Sequence, residues 1–149
     1  MIAVKFLSLD PRAQLPSYQT QGAAGFDFYA LEDVCLRAGE VALVRTGLAV
    51  EVPSSFELQV RARSGLAAKH GVFLVNGIGT IDSDYRGEVK IILSTISQEP
   101  VYLKAGDRIA QGVLAAVVQA TLAWTSALSA TERAEGGFGS TGGVSVSQV

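Results

Sequence analysis

The sequence predicts an all-β barrel or sandwich, on three observations. Short apolar or alternating runs recur along the chain, turn residues separate them, and one brief internal segment reads as a helix. The 149 residues include 16 glycines and 4 prolines, which supply much of the punctuation. Residues 40–52 are rich in Val and Leu and stop at Pro53. Residues 56–63 alternate, with Phe56, Leu58, Val60 and Ala62 on one face and Glu57, Gln59, Arg61 and Arg63 on the other. That is the period of two of a half-buried strand. Residues 72–75, 88–96, 101–104 and 109–118 read as further strands. Turn signals at residues 37–39, 53–55, 76–77, 97–100 and 105–107 divide them. The helix candidate spans residues 64–70, with Ser64 placed to cap its first turn.

Composition narrows the function classes. The length suits one domain. Twelve basic against 14 acidic residues give a net charge of −2, which argues against a dedicated nucleic-acid binder, because phosphate backbones demand a clustered positive excess. Hydrophobic residues are 48% and charged residues 17%, so the chain can bury a real core. A single cysteine, Cys35, excludes an internal disulfide framework and a cysteine-based zinc cluster. A single histidine, His70, excludes multi-histidine metal sites. No run approaches about 18 apolar residues, so no membrane span is expected. Residues 1–10 lack a basic region followed by an apolar one, so no secretory signal is expected. A soluble protein of a reduced, cytoplasmic compartment is the expectation.

Residues 125–149 differ in character. Residues 136–143 hold five glycines in eight positions, so this stretch buries little and loses much entropy on ordering. Composition leaves two readings open: a frayed end, or a working segment built around Arg133 and Phe138.

Familiar catalytic arrangements are missing. The lone His70 supports no Ser-His-Asp triad and reads as structural. Cys35 has no activator in view and reads as a core residue. The Gly-Lys-Ser/Thr of a phosphate loop does not occur. Polar clusters at strand ends remain. Ala24-Gly25-Phe26-Asp27 puts a carboxylate after a glycine. Arg61-Ala62-Arg63-Ser64-Gly65 brings guanidinium, hydroxyl and open amides to a helix start, a combination that suits an anion. Residues 79–87, Gly-Thr-Ile-Asp-Ser-Asp-Tyr-Arg-Gly, pack two carboxylates and a tyrosine into a hairpin. Gly106-Asp107-Arg108-Ile109-Ala110-Gln111 opens another strand.

In order and spacing these clusters resemble the five motifs of the trimeric dUTP diphosphatases (dUTPases). Residues 24–30 are similar to the first motif and residues 63–67 to the second. Asn76 with residues 79–87 is similar to the third, and residues 106–111 to the fourth. Arg133 with Gly136-Gly137-Phe138-Gly139-Ser140-Thr141-Gly142 is similar to the fifth. The likeness spans residues 4–143. The chain departs from the family pattern at Ala62 and Ile78, where proline is usual, and at Ala134, where glycine is usual. None of the three removes a side chain that the chemistry needs.

The resemblance implies a jelly-roll-like β-barrel over residues 1–130 with one short helix, and a flexible glycine-rich C-terminal arm over residues 131–149. It implies hydrolysis of dUTP to dUMP and pyrophosphate with Mg²⁺, limiting uracil in DNA and supplying dUMP for thymidylate synthesis. Asp82 is the implied base that aims water at the α-phosphorus. Asp27 is the implied holder of metal-bound waters. Arg63, Ser64 and Gly65 are implied to grip the phosphates, and Gln111 to reach the α-phosphate. Asn76, Thr80, Ile81 and Asp82 are implied to read uracil largely through their main chain, with help from the main chain near Lys90. Tyr85 would lie under the deoxyribose and exclude a 2′-hydroxyl. In the arm, Phe138 would stack on uracil and Arg133, Ser140 and Thr141 would cover the γ-phosphate, with Gly139 in the same substrate-binding set. The implied assembly is a homotrimer whose sites are shared between chains, without nucleic-acid or membrane partners. Two alternatives share the fold: a dCTP deaminase-like enzyme, which uses glutamate where Asp82 stands and lacks the Gly-Phe-Gly-Ser-Thr arm, and a non-catalytic nucleotide-sensing trimer.

Overall fold

Among the described residues, alternation and turn punctuation resolve into eleven strands and one helix. They are β1 (Lys5–Ser8), β2 (Ser17–Tyr18), β3 (Phe26–Tyr29), β4 (Val34–Leu36), β5 (Ala42–Glu51) and β6 (Phe56–Arg61), then α1 (Ser64–His70), then β7 (Val72–Leu74), β8 (Gly79–Ile81), β9 (Glu88–Thr95), β10 (Val101–Leu103) and β11 (Arg108–Ala116). This computed structural model describes residues 2–138 and 140–142. Gly139 and residues 143–149 therefore lie outside the described residues. By internal contacts the chain forms two units, Met1–Val118 and Gln119–Val149, and every named strand belongs to the first.

Every strand pair is antiparallel. The larger sheets run β2-β3-β11-β6-β8 and β1-β5-β9-β7, and β10 pairs with β4 in a small third sheet. One jelly-roll-like core joins them. Phe28, Leu58, Val60 and Ala110 enter it from the first sheet, and Val44, Val50, Ile91 and Leu93 from the second. In β6 the expected alternation holds, with Leu58 and Val60 buried and Arg61 exposed. Gly112 is glycine because the core aromatics leave no room: a Cβ there would lie 2.5 Å from Phe26 and 2.9 Å from Phe28. No buried side-chain N or O lacks a hydrogen-bond partner among the described residues. None of the described helices is long and apolar enough to cross a membrane.

Two bulges re-aim side chains in these sheets. The β5–β9 register shifts between Arg45 and Ala49, around Gly47 at φ +69°. The Glu88 carboxylate fastens this bulge, accepting the Gly47 N–H at 3.0 Å and the Arg45 Nε–H at 3.1 Å. The β11–β3 register shifts between Arg108 and Ala110. Helix α1 has the expected span but a different cap. Arg63 is the N-cap, without a side-chain capping bond, and Ser64 lies inside the first turn, where its hydroxyl is not the cap. The helix closes at Gly71 in the left-handed region, φ +62°, whose N–H reaches back to the Leu66 and Ala67 carbonyls.

Candidate functional site

The first cluster grows from one row of the five-stranded sheet. Gln111 pairs with Asp27 on one side and with Arg61 on the other, so all three side chains share a face. Arg108 would ordinarily point away, because three residues separate it from Gln111 and strand faces alternate. The bulge at Ile109 corrects the parity: Arg108 pairs with Tyr29, on the same face as Asp27. Asp27, only 7% exposed, is thereby held between two guanidiniums. Arg63 Nε lies 3.1 Å from one carboxylate oxygen and Arg108 Nη1 3.2 Å from the other. Arg63 also donates to the Arg108 carbonyl at 2.9 Å. Gln111 is set by its Nε2 donating to the Ala62 carbonyl at 2.9 Å. Gly25 leaves room for that amide, since a Cβ there would stand 2.8 Å from Gln111 Oε1. The two guanidiniums outnumber the carboxylate between them, so the patch favours an anion.

The second cluster is a cavity of about 380 Å³ between residues 76–85 and strand β9; the hairpin expected there does not form, because β8 pairs with β6 and β7 with β9. Asn76, Thr80, Ile81, Asp82, Tyr85 and Lys90 all line it. The Asn76-Gly77 turn shapes one wall, with Gly77 at φ +70° and its N–H bonded to the Leu74 carbonyl at 3.0 Å. Along β9 the main chain alternates. The Ile92 carbonyl accepts from Val75 N–H at 3.0 Å, and the Glu88 carbonyl accepts from the Tyr85 hydroxyl at 3.1 Å. Lys90 lies between them at the same parity, so its N–H and C=O point to the same side. Strand β7 pairs only with residues 93–95, so at Lys90 this edge faces the cavity. A donor and an acceptor side by side match the edge of a pyrimidine ring.

The structure brings residues together within each cluster and keeps the clusters apart. Leu58 pairs with Ile81, so the next step along the ladder sets Asp82 beside Glu57. Arg63 is six residues further along, about 20 Å at ~3.3 Å per residue. Gln111 lies beside Arg61, four residues and two strands away, or about 16 Å. Of the residues expected to form an arm, Arg133 donates from Nε to the Gly136 carbonyl at 2.8 Å, and Phe138 is fully exposed. Ser140 N–H bonds the Gly137 carbonyl at 2.9 Å, and Thr141 is exposed. Ala134 stands at φ +41°, in the region that glycine enters freely and alanine does not. Three residues were absent from the sequence-predicted set: Arg108, Glu88 and Arg45. The charged partner of Asp27 was visible in Gly-Asp-Arg, but only the bulge shows which way its side chain turns.

The model of the dUTPase family matches residues 11–142. A deoxyuridine 5′-triphosphate nucleotidohydrolase of Nautilia profundicola is 52% identical over 139 residues, covering 93% of this chain and 98% of that protein. One from Anaeromyxobacter is 57% identical over 132 residues, covering 89% and 90%. The dUTPase of Staphylococcus bacteriophage 80alpha, solved with dUPNHPP, superposes with a TM-score of 0.81 at 26% identity, covering 94% of this chain and 98% of that one.

Proposed function

The chain belongs to the dUTPase family, and from that premise we propose that it hydrolyses dUTP to dUMP and pyrophosphate. The observation that carries the proposal is the cavity beside β9, which gathers Asn76, Thr80, Ile81, Asp82, Tyr85 and Lys90 around one space. Uracil offers two carbonyl acceptors flanking one N–H donor. Main-chain groups of residues 76–82 and of Lys90 can meet that edge, and close walls leave no room for the methyl group of thymine. Tyr85 lies under the sugar. Asp82 then stands at the 5′ side, where its carboxylate takes a proton from a water and aims it at the α-phosphorus. Water attacks, the bond from the α-phosphorus to the bridging oxygen breaks, and pyrophosphate leaves with the electron pair.

The anion cluster handles the charge. Arg63, Ser64 and Gly65 grip the phosphate chain and Gln111 donates to the α-phosphate, where such donors act most strongly as charge moves onto the leaving group. Among the described residues, no group of three His, Cys, Asp or Glu is placed to hold a metal ion by itself. Magnesium would therefore be held mainly by phosphate oxygens and waters, as that ion prefers. Asp27 fits the role of orienting those waters: one oxygen accepts from Arg108 Nη1 at 3.2 Å, the other is ion-paired with Arg63 at 3.1 Å, and lone pairs remain for water. The bound ion would supply charge neutralisation along the triphosphate.

Asp82 and Gln111 both act at the α-phosphate in this scheme, yet the register sets them about 16 Å apart in one chain. A homotrimer resolves the mismatch, with the anion cluster of one protomer facing the cavity beside β9 of the next. Residues 131–149 serve as an arm over the site, with Phe138 on uracil and Arg133, Ser140 and Thr141 at the phosphates, while residues 1–130 form the body. Such an enzyme lowers dUTP available for DNA synthesis and supplies dUMP. The test is pyrophosphate release with dUTP, dCTP, dTTP and UTP in parallel, with and without Mg²⁺. Strong, Mg²⁺-dependent preference for dUTP is expected. Comparable release from dTTP or UTP would remove the reading of the cavity.

A further inference from the structure

Gly87 has an environment unlike a turn glycine. Its backbone does not require glycine, because it is absent from the glycines at positive φ. What excludes a side chain is Tyr85. A Cβ at residue 87 would overlap the Tyr85 hydroxyl oxygen and lie 2.6 Å from Cζ and 3.1 Å from Cε2. The phenol ring thus lies across the bare Cα of Gly87, and its hydroxyl donates to the Glu88 carbonyl at 3.1 Å.

That carbonyl is itself fixed. The Glu88 side chain is 14% exposed and bound to Arg45, and its carboxylate also accepts the Gly47 N–H at 3.0 Å. Residue 88 is therefore anchored by its side chain in the β5 bulge, while its carbonyl receives the phenol. The ring has two constraints: space granted by Gly87, and direction set by Glu88.

We infer that Gly87 is a specificity-determining position for the sugar, acting through Tyr85, with Glu88 as the fixed acceptor that holds the ring in its excluding pose. The inference rests on the proposed role of Tyr85 in shutting out a 2′-hydroxyl. A methyl at residue 87 and the ring in its observed place cannot coexist, so the ring swings out, loses the Glu88 carbonyl and opens room beside the sugar.

The experiment compares kcat/KM for UTP and dUTP in Gly87→Ala, Tyr85→Ala and the double variant, with thermal unfolding of each. Gly87→Ala raises the UTP:dUTP ratio by about 10–200-fold, the scale of one misplaced carbon in a pocket. Tyr85→Ala raises it as well, and adding Gly87→Ala to Tyr85→Ala changes the ratio no further. A folded Gly87→Ala enzyme with the parental ratio overturns the inference. So does an equal loss on both nucleotides that persists in the Tyr85→Ala background, because that is the mark of a backbone role alone. Should Gly87→Ala fail to fold, the double variant decides: recovery of folding supports the clash with the ring, and continued failure overturns it. An unchanged ratio in Tyr85→Ala, by contrast, defeats the underlying role of Tyr85.

Discussion

Mixing Asp82→Asn chains with Arg63→Ala chains tests whether one site draws on two protomers. The two residues lie about 20 Å apart along β6 within a chain, too far to serve one phosphate group. Asp82→Asn keeps the shape of the side chain but cannot accept a proton, a loss of about 10²–10⁴-fold. Arg63→Ala removes a phosphate donor and frees Asp27 from a contact of 3.1 Å, with a cost of at least about 10²-fold. In a threefold ring, each site joins the Arg63 of one chain to the Asp82 of its neighbour. A mixed trimer, whichever chain is in the majority, contains one junction where both are intact, so about one third of wild-type turnover returns. The chains carry different affinity tags, are co-expressed, and are purified through both tags before pyrophosphate release is measured. Doubly tagged trimers no more active than the parents would refute the shared site and the register argument behind it.

Gly25→Ala drives a methyl toward Gln111 Oε1, 2.8 Å from the position of the new Cβ. Unfolding temperature should change little, while kcat falls by up to about 10²–10³-fold, the cost of one lost donor to developing charge. Gly112→Ala meets aromatic carbons of Phe26 and Phe28 at 2.5–2.9 Å instead, and denaturant unfolding should show a loss of about 1–3 kcal/mol from overpacking. Hydrogen bonds from Arg12 hold the Asp10 carboxyl at about 2, below the ordinary 3.8. Its folded-state pKa is depressed, so its contribution is present above pH 3.8 and is lost as pH falls toward 2. Asp10→Asn should therefore be less stable than the parent at neutral pH and converge with it in that acid window, read from unfolding temperature against pH.

How far the sequence reached depends on parity. In β6 one face is apolar over the whole run, so alternation alone gave both the strand and its buried side. Strand β1, by contrast, is exposed at three of its four residues, and β2 and β4 are two and three residues long. None of these carries enough period to be read locally; pairing with a neighbour makes them strands. Strand β3 fails for the opposite reason, since Phe26, Asp27 and Phe28 are all buried. There Asp27 breaks the rule that a strand's second face is solvated, because two guanidiniums take the place of water.

The same distinction governs the site. Motif likeness supplied side-chain identities such as Asp82, Tyr85, Arg63 and Gln111, because those groups are named by residue type and spacing. It could not supply their partners, which depend on register. One extra residue at Ile109 turns Arg108 toward Asp27, and nothing in Gly-Asp-Arg-Ile-Ala-Gln announces a bulge. The early end of β7 leaves Lys90 facing the cavity, and the Lys90 side chain plays no part in that. Nothing in the run 88–96 announces that the Glu88 carboxylate lies inside the β5 bulge. Gly87 reads as a turn glycine until a ring is found where its side chain would be. Each is a property of the space between strands. A substitution at Gly87, Glu88 or Ile109 can therefore alter the chemistry of Tyr85 or Asp27 while leaving every motif side chain in place.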